Sequence, residues 1–213
     1  MRIQKISNRG VLFTSNSAGW DYNMYLIRGK NSDFVIDTGL GACSVAPVIE
    51  QIGNDHKQTV VINTHHHWDH IWGNGSFGGC VIAAHRLCRE MILSEWVKML
   101  QKHGQCRCGG VAMQLPNLVF QEELYFAEDG IRLLYTPGHT VDSISVLDEE
   151  DGVLMLADNI GDSMDEIVPG LYCEKDVYRQ TLERYERLRF DVCISGHNKP
   201  LGKDVIREIR KML

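Results

Sequence analysis

The chain has 213 residues, 44% of them apolar and 23% charged, with a formal net charge of -6. That is enough chain for one domain with a real core. The acidic balance and the lack of basic tracts count against a nucleic-acid or anionic-membrane partner.

The first elements are short strands. Residues 2–6 and 10–14 are expected as strands joined at Asn8-Arg9-Gly10, followed by a polar loop over 15–21 that carries Trp20. Tyr22 to Ile27 and Phe34-Val35-Ile36 form a hairpin around Arg28 to Ser32, ending at Asp37-Thr38-Gly39. A helix over 44–52 stops at Gly53-Asn54. Lys57 to Asn63 is the strand that leads into Thr64-His65-His66-His67-Trp68-Asp69-His70. Its β-branched run Val60-Val61-Ile62 reads as buried, so the imidazoles that follow are delivered at a sheet edge. A short helix or turn over 71–75 and a strand over 80–83 come next. From 84 to about 102 the spacing predicts a helix whose inner face carries Leu87, Met91, Ile92, Trp96, Met99 and Leu100.

Residues 103–116 interrupt the pattern with three glycines and the pair Cys106/Cys108, a loop length that is usually functional or mobile. Strands return at 118–120, 124–126 and 131–135, and the last runs into Thr136-Pro137-Gly138-His139-Thr140. A hairpin of 144–147 and 153–156 ends at Ala157-Asp158-Asn159, and 159–173 is a loop. An amphipathic helix over 174–189 turns Val177, Leu182, Tyr185 and Leu188 inward. Val192-Cys193-Ile194 ends at Ser195-Gly196-His197, and a helix over 203–213 buries Val205, Ile206 and Ile209. Strand clusters with helices before and after predict an α+β architecture in a single domain over 1–213: two mixed sheets face to face with helices on both outer faces.

Seven cysteines, an odd number with scattered spacing, do not form a disulfide framework. Cys80 and Cys193 are expected as small buried hydrophobes. The N-terminus has no apolar leader and no run approaches the ~18 residues that span a bilayer. The expectation is a cytoplasmic protein with reduced thiols and no membrane partner, and an oligomer is possible.

Five predicted strand ends carry groups able to ligate a metal: Asp37, the 65–70 cluster, His139, Asp158 and His197. Imidazole and carboxylate donors suit zinc, and iron or manganese use the same ligands. Two metals ~3.5–4 Å apart could share a hydroxide, lower the pKa of water to ~7 and leave the cleft slightly positive, which stabilises a developing oxyanion. The reaction such a site supports is attack on a carbonyl, with Asp69 taking or relaying a proton.

The order Asp37, His65-x-His67-x-Asp69-His70, His139, Asp158, His197 resembles the metallo-β-lactamase superfamily in its glyoxalase II-like hydrolase branch. The resemblance implies an αββα sandwich with a dinuclear site at one edge. His65, His67 and His139 would hold one metal and Asp69, His70 and His197 the other. Asp158 would bridge them, and Asp37 would orient the motif loop from behind. Two Zn²⁺ are expected. The substrate would be a small molecule with an ester, thioester, lactone or amide carbonyl, attacked by metal-bound hydroxide. Subclass B1 and B2 β-lactamases use a cysteine where this chain has Asp158, so β-lactam hydrolysis is not favoured, and Cys173 is not expected as a ligand. Flavodiiron relatives carry glutamate where this chain has His67. Long glyoxalase II enzymes add a C-terminal helical domain for glutathione, whereas this chain stops at Leu213. Alternatives are an iron-dependent oxidoreductase of the persulfide dioxygenase type and a phosphodiesterase or nuclease.

Around the site, Trp20 and Tyr22 are expected to line the cleft, and Lys199 could meet an anionic substrate group. Specificity would reside in loops 15–22, 103–117 and 159–173. His66, between two ligands, is expected to point away from them in a packing role, with Trp68 packed beneath the motif loop. His56, His85 and His103 are expected at the surface or in loops.

Overall fold

The computed structural model describes residues 1–16, 18–54 and 57–213. Among the described residues, thirteen strands fall into two sheets. In the first, β1 (Arg2–Lys5), β2 (Gly10–Ser15), β3 (Tyr22–Arg28) and β4 (Ser32–Ile36) run as an antiparallel meander. The parallel strands β5 (Gln58–Ile62), β6 (Val81–His85) and β7 (Leu118–Phe120) extend it. The second sheet has the order β13-β12-β11-β10-β9-β8. Antiparallel β8 (Glu123–Phe126), β9 (Ile131–Tyr135), β10 (Ile144–Asp148) and β11 (Val153–Ala157) are followed by β12 (Val192–Ser195), parallel to β11, and by the short edge strand β13 (Leu201–Gly202).

The period-2 side chains of both sheets meet in one apolar layer, where Leu12, Tyr25, Phe34 and Ile62 face Leu133, Val146, Met155 and Ile194. Each such fully buried large side chain contributes about 1.5–3 kcal/mol relative to exposure. Helices cover the outer faces. α1 (Ala42–Ile52) packs Val45 and Val48 on the first sheet, joined by α3 (Arg86–His103). α4 (Lys175–Arg187) and α5 (Asp204–Met212) cover the second. The one-turn α2 (Trp68–Ile71) lies inside the histidine motif.

Two buried helix faces are rotated from the expected ones. On α3 the buried stripe is Cys88, Ile92, Trp96 and Met99, one position away from Leu87 and Met91. On α4, Tyr178 and Thr181 are buried in place of Val177. The Tyr178 hydroxyl donates to the Asn159 carbonyl (2.7 Å) and the Thr181 hydroxyl to the Pro137 carbonyl (2.6 Å), so hydrogen bonds carry polar side chains into positions a hydrophobicity pattern passes over. His85 is buried, contrary to expectation. Its Nδ1 accepts from the Leu87 amide as the N-cap of α3, which leaves Nε2 to donate to the Gln121 carbonyl at 2.9 Å. Cys193 is buried and Cys80 only half-buried. His56 lies outside the described residues. No described helix is long and apolar enough to cross a membrane.

At the end remote from the histidine motif, Arg9 ties the sheets together. Its Nε donates to Oδ2 of the fully buried Asp148 at 3.0 Å, and its backbone amide donates to Asp151 at 2.9 Å. The Asp148 carboxylate also accepts the amides of Glu150 and Asp151, closing the β10–β11 turn. Removing one partner of such a pair leaves a buried charge uncompensated. Arg9→Met is therefore expected to lower the unfolding free energy by about 3 kcal/mol. A urea titration measures it, and an unchanged midpoint at unchanged slope would refute the assignment.

Candidate metal centre

The C-terminal ends of β4, β5, β9, β11 and β12 release their loops toward one cleft, which is how residues from 37 to 197 meet. Two donor groups form there. His65, His67, His139 and Asp158 make the first, and Asp69, His70 and His197 the second; within each group one ligand atom per residue lies within 4.8 Å of the others.

Hydrogen bonds set the orientation of four of the five imidazoles. The buried Asp37 carboxylate accepts three, from the Thr64 amide (2.8 Å), the Thr64 hydroxyl (2.7 Å) and His70 Nδ1 (2.8 Å). Because Thr64 Oγ1 donates to Asp37, it accepts from His65 Nδ1 at 3.2 Å. His139 Nδ1 donates to the Gly170 carbonyl (2.7 Å) and His197 Nδ1 to the Asp21 carbonyl (2.8 Å). These bonds keep a proton on each outer nitrogen and turn the Nε2 atoms of His65, His70, His139 and His197 inward. His67 presents Nδ1 instead, 3.1 Å from His139 Nε2.

The donor set fits divalent metal. Nε2 of His65 and Oδ1 of Asp158 are buried without a hydrogen-bond partner, each a cost of about 1–3 kcal/mol that a cation would relieve. Asp158 Oδ2 lies 3.3 Å from His70 Nε2, 3.4 Å from His197 Nε2 and 3.6 Å from both His65 Nε2 and His139 Nε2, so it belongs to both groups. Asp69 Oδ2 lies 3.4 Å from His197 Nε2 and 3.8 Å from His70 Nε2. Donors on one tetrahedral ion with 2.0–2.1 Å bonds stand about 3.3 Å apart, and these separations are of that order.

The two groups differ in protonation. Burial pushes His65 well below the usual imidazole range and His67 down to about 3, aided by neighbouring histidines, so both are neutral at pH 7. Burial also opposes charge on His70 and His197, but Asp158 outweighs it with help from Asp69. His70 is held well above its ordinary value and His197 at about 9. Asp158 stays ionised because His70 and His197 overcome its desolvation.

The backbone is strained where it delivers these groups. Asp37 and Ala157, the residue before Asp158, are the two non-glycine residues with positive φ among the described residues, at 59° and 46°. β11 has a register irregularity between Met155 and Ala157, which re-aims the strand end. Gly196 passes so close that a Cβ there would overlap Asp158 Oδ1 and lie 2.9 Å from His70 Cε1. No residue larger than glycine fits between Ser195 and His197 with this geometry.

Trp20 lines the cleft as expected. Tyr22 does not: it is buried in β3 against the α1 side of the first sheet, because strand alternation turns it into the core. Lys199 lines a neighbouring hollow with Arg2, Asp21 and Asp162, which meets the cleft at His197. His66 does turn its Nδ1 away, to the buried Asp142 carboxylate at 2.9 Å, while its ring packs on His67 with centroids 4.7 Å apart. Asp142 escapes sequence reading, since one aspartate three residues past His139 gives no signal of a partner 76 positions earlier. His103, expected at the surface or in a loop, ends α3 and stacks on Trp68 at the cleft. Tyr172, in the 159–173 loop, carries no local signal of a place at the cleft. Its amide bonds the His139 carbonyl (2.9 Å) and its ring stands edge-on to His67 and His139. Cys106 and Cys108 belong to neither donor group, nor does Cys173.

Residues 18–197 match the family model of the metallo-beta-lactamase superfamily. The chain is 26% identical over 212 residues to the acyl-coenzyme A thioesterase MBLAC2 of Bos taurus, covering 85% of this chain and 75% of that protein. It is 26% identical over 141 residues to the hydroxyacylglutathione hydrolase of a Synechococcus species, covering 66% of this chain and 49% of that protein. The metallo beta lactamase from Hirschia baltica superposes with a TM-score of 0.79 at 14% identity, covering 99% of this chain and 96% of that one, a likeness of fold. A family match across most of the chain, two packed sheets and metal-competent His/Asp groups at the shared strand ends lead to one assignment: the chain belongs to the metallo-beta-lactamase superfamily and is a metal-dependent hydrolase.

Proposed function

We propose that the chain is a dinuclear zinc hydrolase acting on the carbonyl of a small ester, thioester or lactone. The observation that carries this reading is the position of Asp158 Oδ2, within 3.6 Å of inward-facing nitrogens from both donor groups. His65, His67 and His139 would hold one ion, Asp69, His70 and His197 the other, and Asp158 both. Bound zinc supplies Lewis acidity and lowers the pKa of a water to about 7. The relatives named acyl-coenzyme A thioesterase and hydroxyacylglutathione hydrolase support a thioester-type carbonyl.

The chain's own residues do the rest. Asp37, Thr64, Gly170 and Asp21 fix the imidazoles before substrate arrives, so no reorganisation accompanies the reaction. Asp69 lines the cleft and receives the proton released from the attacking water at its free carboxylate oxygen.

Native protein should contain two equivalents of zinc and hydrolyse thioester and lactone substrates. His139→Ala should lose at least one equivalent and about a hundredfold or more in kcat/KM. Iron with oxygen uptake on a persulfide, or a full metal load that hydrolyses nothing in a broad panel, would overturn the reading. Asp37→Asn should weaken metal binding about 10–100-fold, read by competition with a chelating dye. Metal entering the His70/His197 group must displace protons that Asp158 and Asp69 hold there, since His197 titrates near 9. Affinity of that group should therefore rise with pH up to about 9, with protons released at pH 7. His65 and His67, already neutral, should release almost none. Calorimetry in buffers of different ionisation enthalpy separates the two.

A further inference from the structure

The cleft before the two donor groups encloses about 720 Å³, a size suited to a small organic ligand. Its rim carries Glu95, Lys98 and Lys102 from α3 and Asp162 and Glu166 from the 159–173 loop, and Lys98 is already bonded to Glu95 at 3.0 Å. Three negative and two positive groups, partly paired, do not select a substrate by charge. Recognition falls to the apolar wall.

That wall is organised on Trp68. Its indole stacks on His103, with ring centroids 4.6 Å apart and planes at 11°. Trp20 meets it edge-on at 5.9 Å, and the buried Trp72 backs it at 5.0 Å. Met99, one turn before His103 on α3, adds a nearly buried apolar side chain to the same cleft. Tyr172 stands 72% exposed at the cleft, anchored through its amide to His139. The Trp20 indole, 37% exposed beside Trp68, and the Tyr172 phenol hold ring surface open to water next to the donor groups and gain from covering by an apolar group.

We propose that Trp68, stacked on His103 and flanked by Trp20 and Met99, forms an acyl subsite that selects esters and thioesters with apolar acyl chains. The proposal rests on the hydrolase reading and names its substrate class. His103 acts through Trp68 as a positioning residue, setting the plane of the indole. The 103–117 loop contributes little beyond His103, and α3 takes over the specificity role expected of that loop.

The test is a series of p-nitrophenyl esters from acetate to octanoate with the zinc-loaded protein. Each methylene should raise kcat/KM about fourfold until the cleft is filled, chiefly through KM. Trp20→Ala and His103→Ala should flatten this dependence, and His103→Phe, which preserves stacking, should restore it. Octanoate should quench tryptophan fluorescence at far lower concentration than acetate, with or without chelator. Esters cleaved at rates independent of chain length, with no preferential octanoate binding, overturn the subsite and leave the hydrolase reading intact. Preferential octanoate binding by loaded protein that cleaves no ester, thioester or lactone leaves the subsite standing and refutes the hydrolase reading. If His103→Phe behaves like His103→Ala, the positioning role of the stack is refuted.

Discussion

The Asp37 carboxylate is the constraint on which the centre depends. It is fully buried, takes three hydrogen bonds, and thereby ties the end of β4 to the end of β5 and to α2. A buried carboxylate is tolerable only if its lone pairs are engaged. Satisfying it orients His70 directly and His65 through Thr64. The positive φ of Asp37 is the local backbone cost of that arrangement.

The two sheets make unequal contributions to the centre. The first supplies a contiguous run, from which one loop and one helical turn feed both donor groups. The second supplies isolated residues, His139, Asp158 and His197, each from a different strand end. Asn159 links two of these ends, accepting from the His139 amide at 2.8 Å while its side-chain amide donates to the Thr136 carbonyl and to the Tyr185 hydroxyl. The contact of the Thr64 carbonyl with the Ile144 amide joins the sheets directly at this edge. Position in the first half is set by local chain geometry, and in the second by packing against α4.

Much of this was legible in the sequence because the relevant signals are local. β-Branched runs ending in His, Asp or Gly marked the strand ends, and the spacing of Thr64 to His70 put several donors on one turn. The sandwich with outer helices followed from the order of elements. What was not legible depends on contacts between distant residues or on which way a strand faces. Tyr22 was expected at the cleft because its loop is there, but one step of strand alternation sends it into the core. Asp142 meets His66, and Trp68 meets His103, through tertiary packing that no spacing rule encodes. Tyr178 and Thr181 were passed over because their hydrogen bonds, not their hydrophobicity, place them inside.

The ligand atoms come from positions 65 to 197, across both sheets, so the complete donor set exists only in the folded chain. Metal bound there would act as a thermodynamic clamp on the fold, stabilising it by RT ln(1 + [M]/Kd). The clamp is imperfect for a reason visible in the chain itself. His65, His67, Asp69 and His70 are neighbours even without tertiary structure, and this stub can hold an ion in the unfolded state. Metal at this centre would thus bear on the stability of the folded chain as well as on its chemistry.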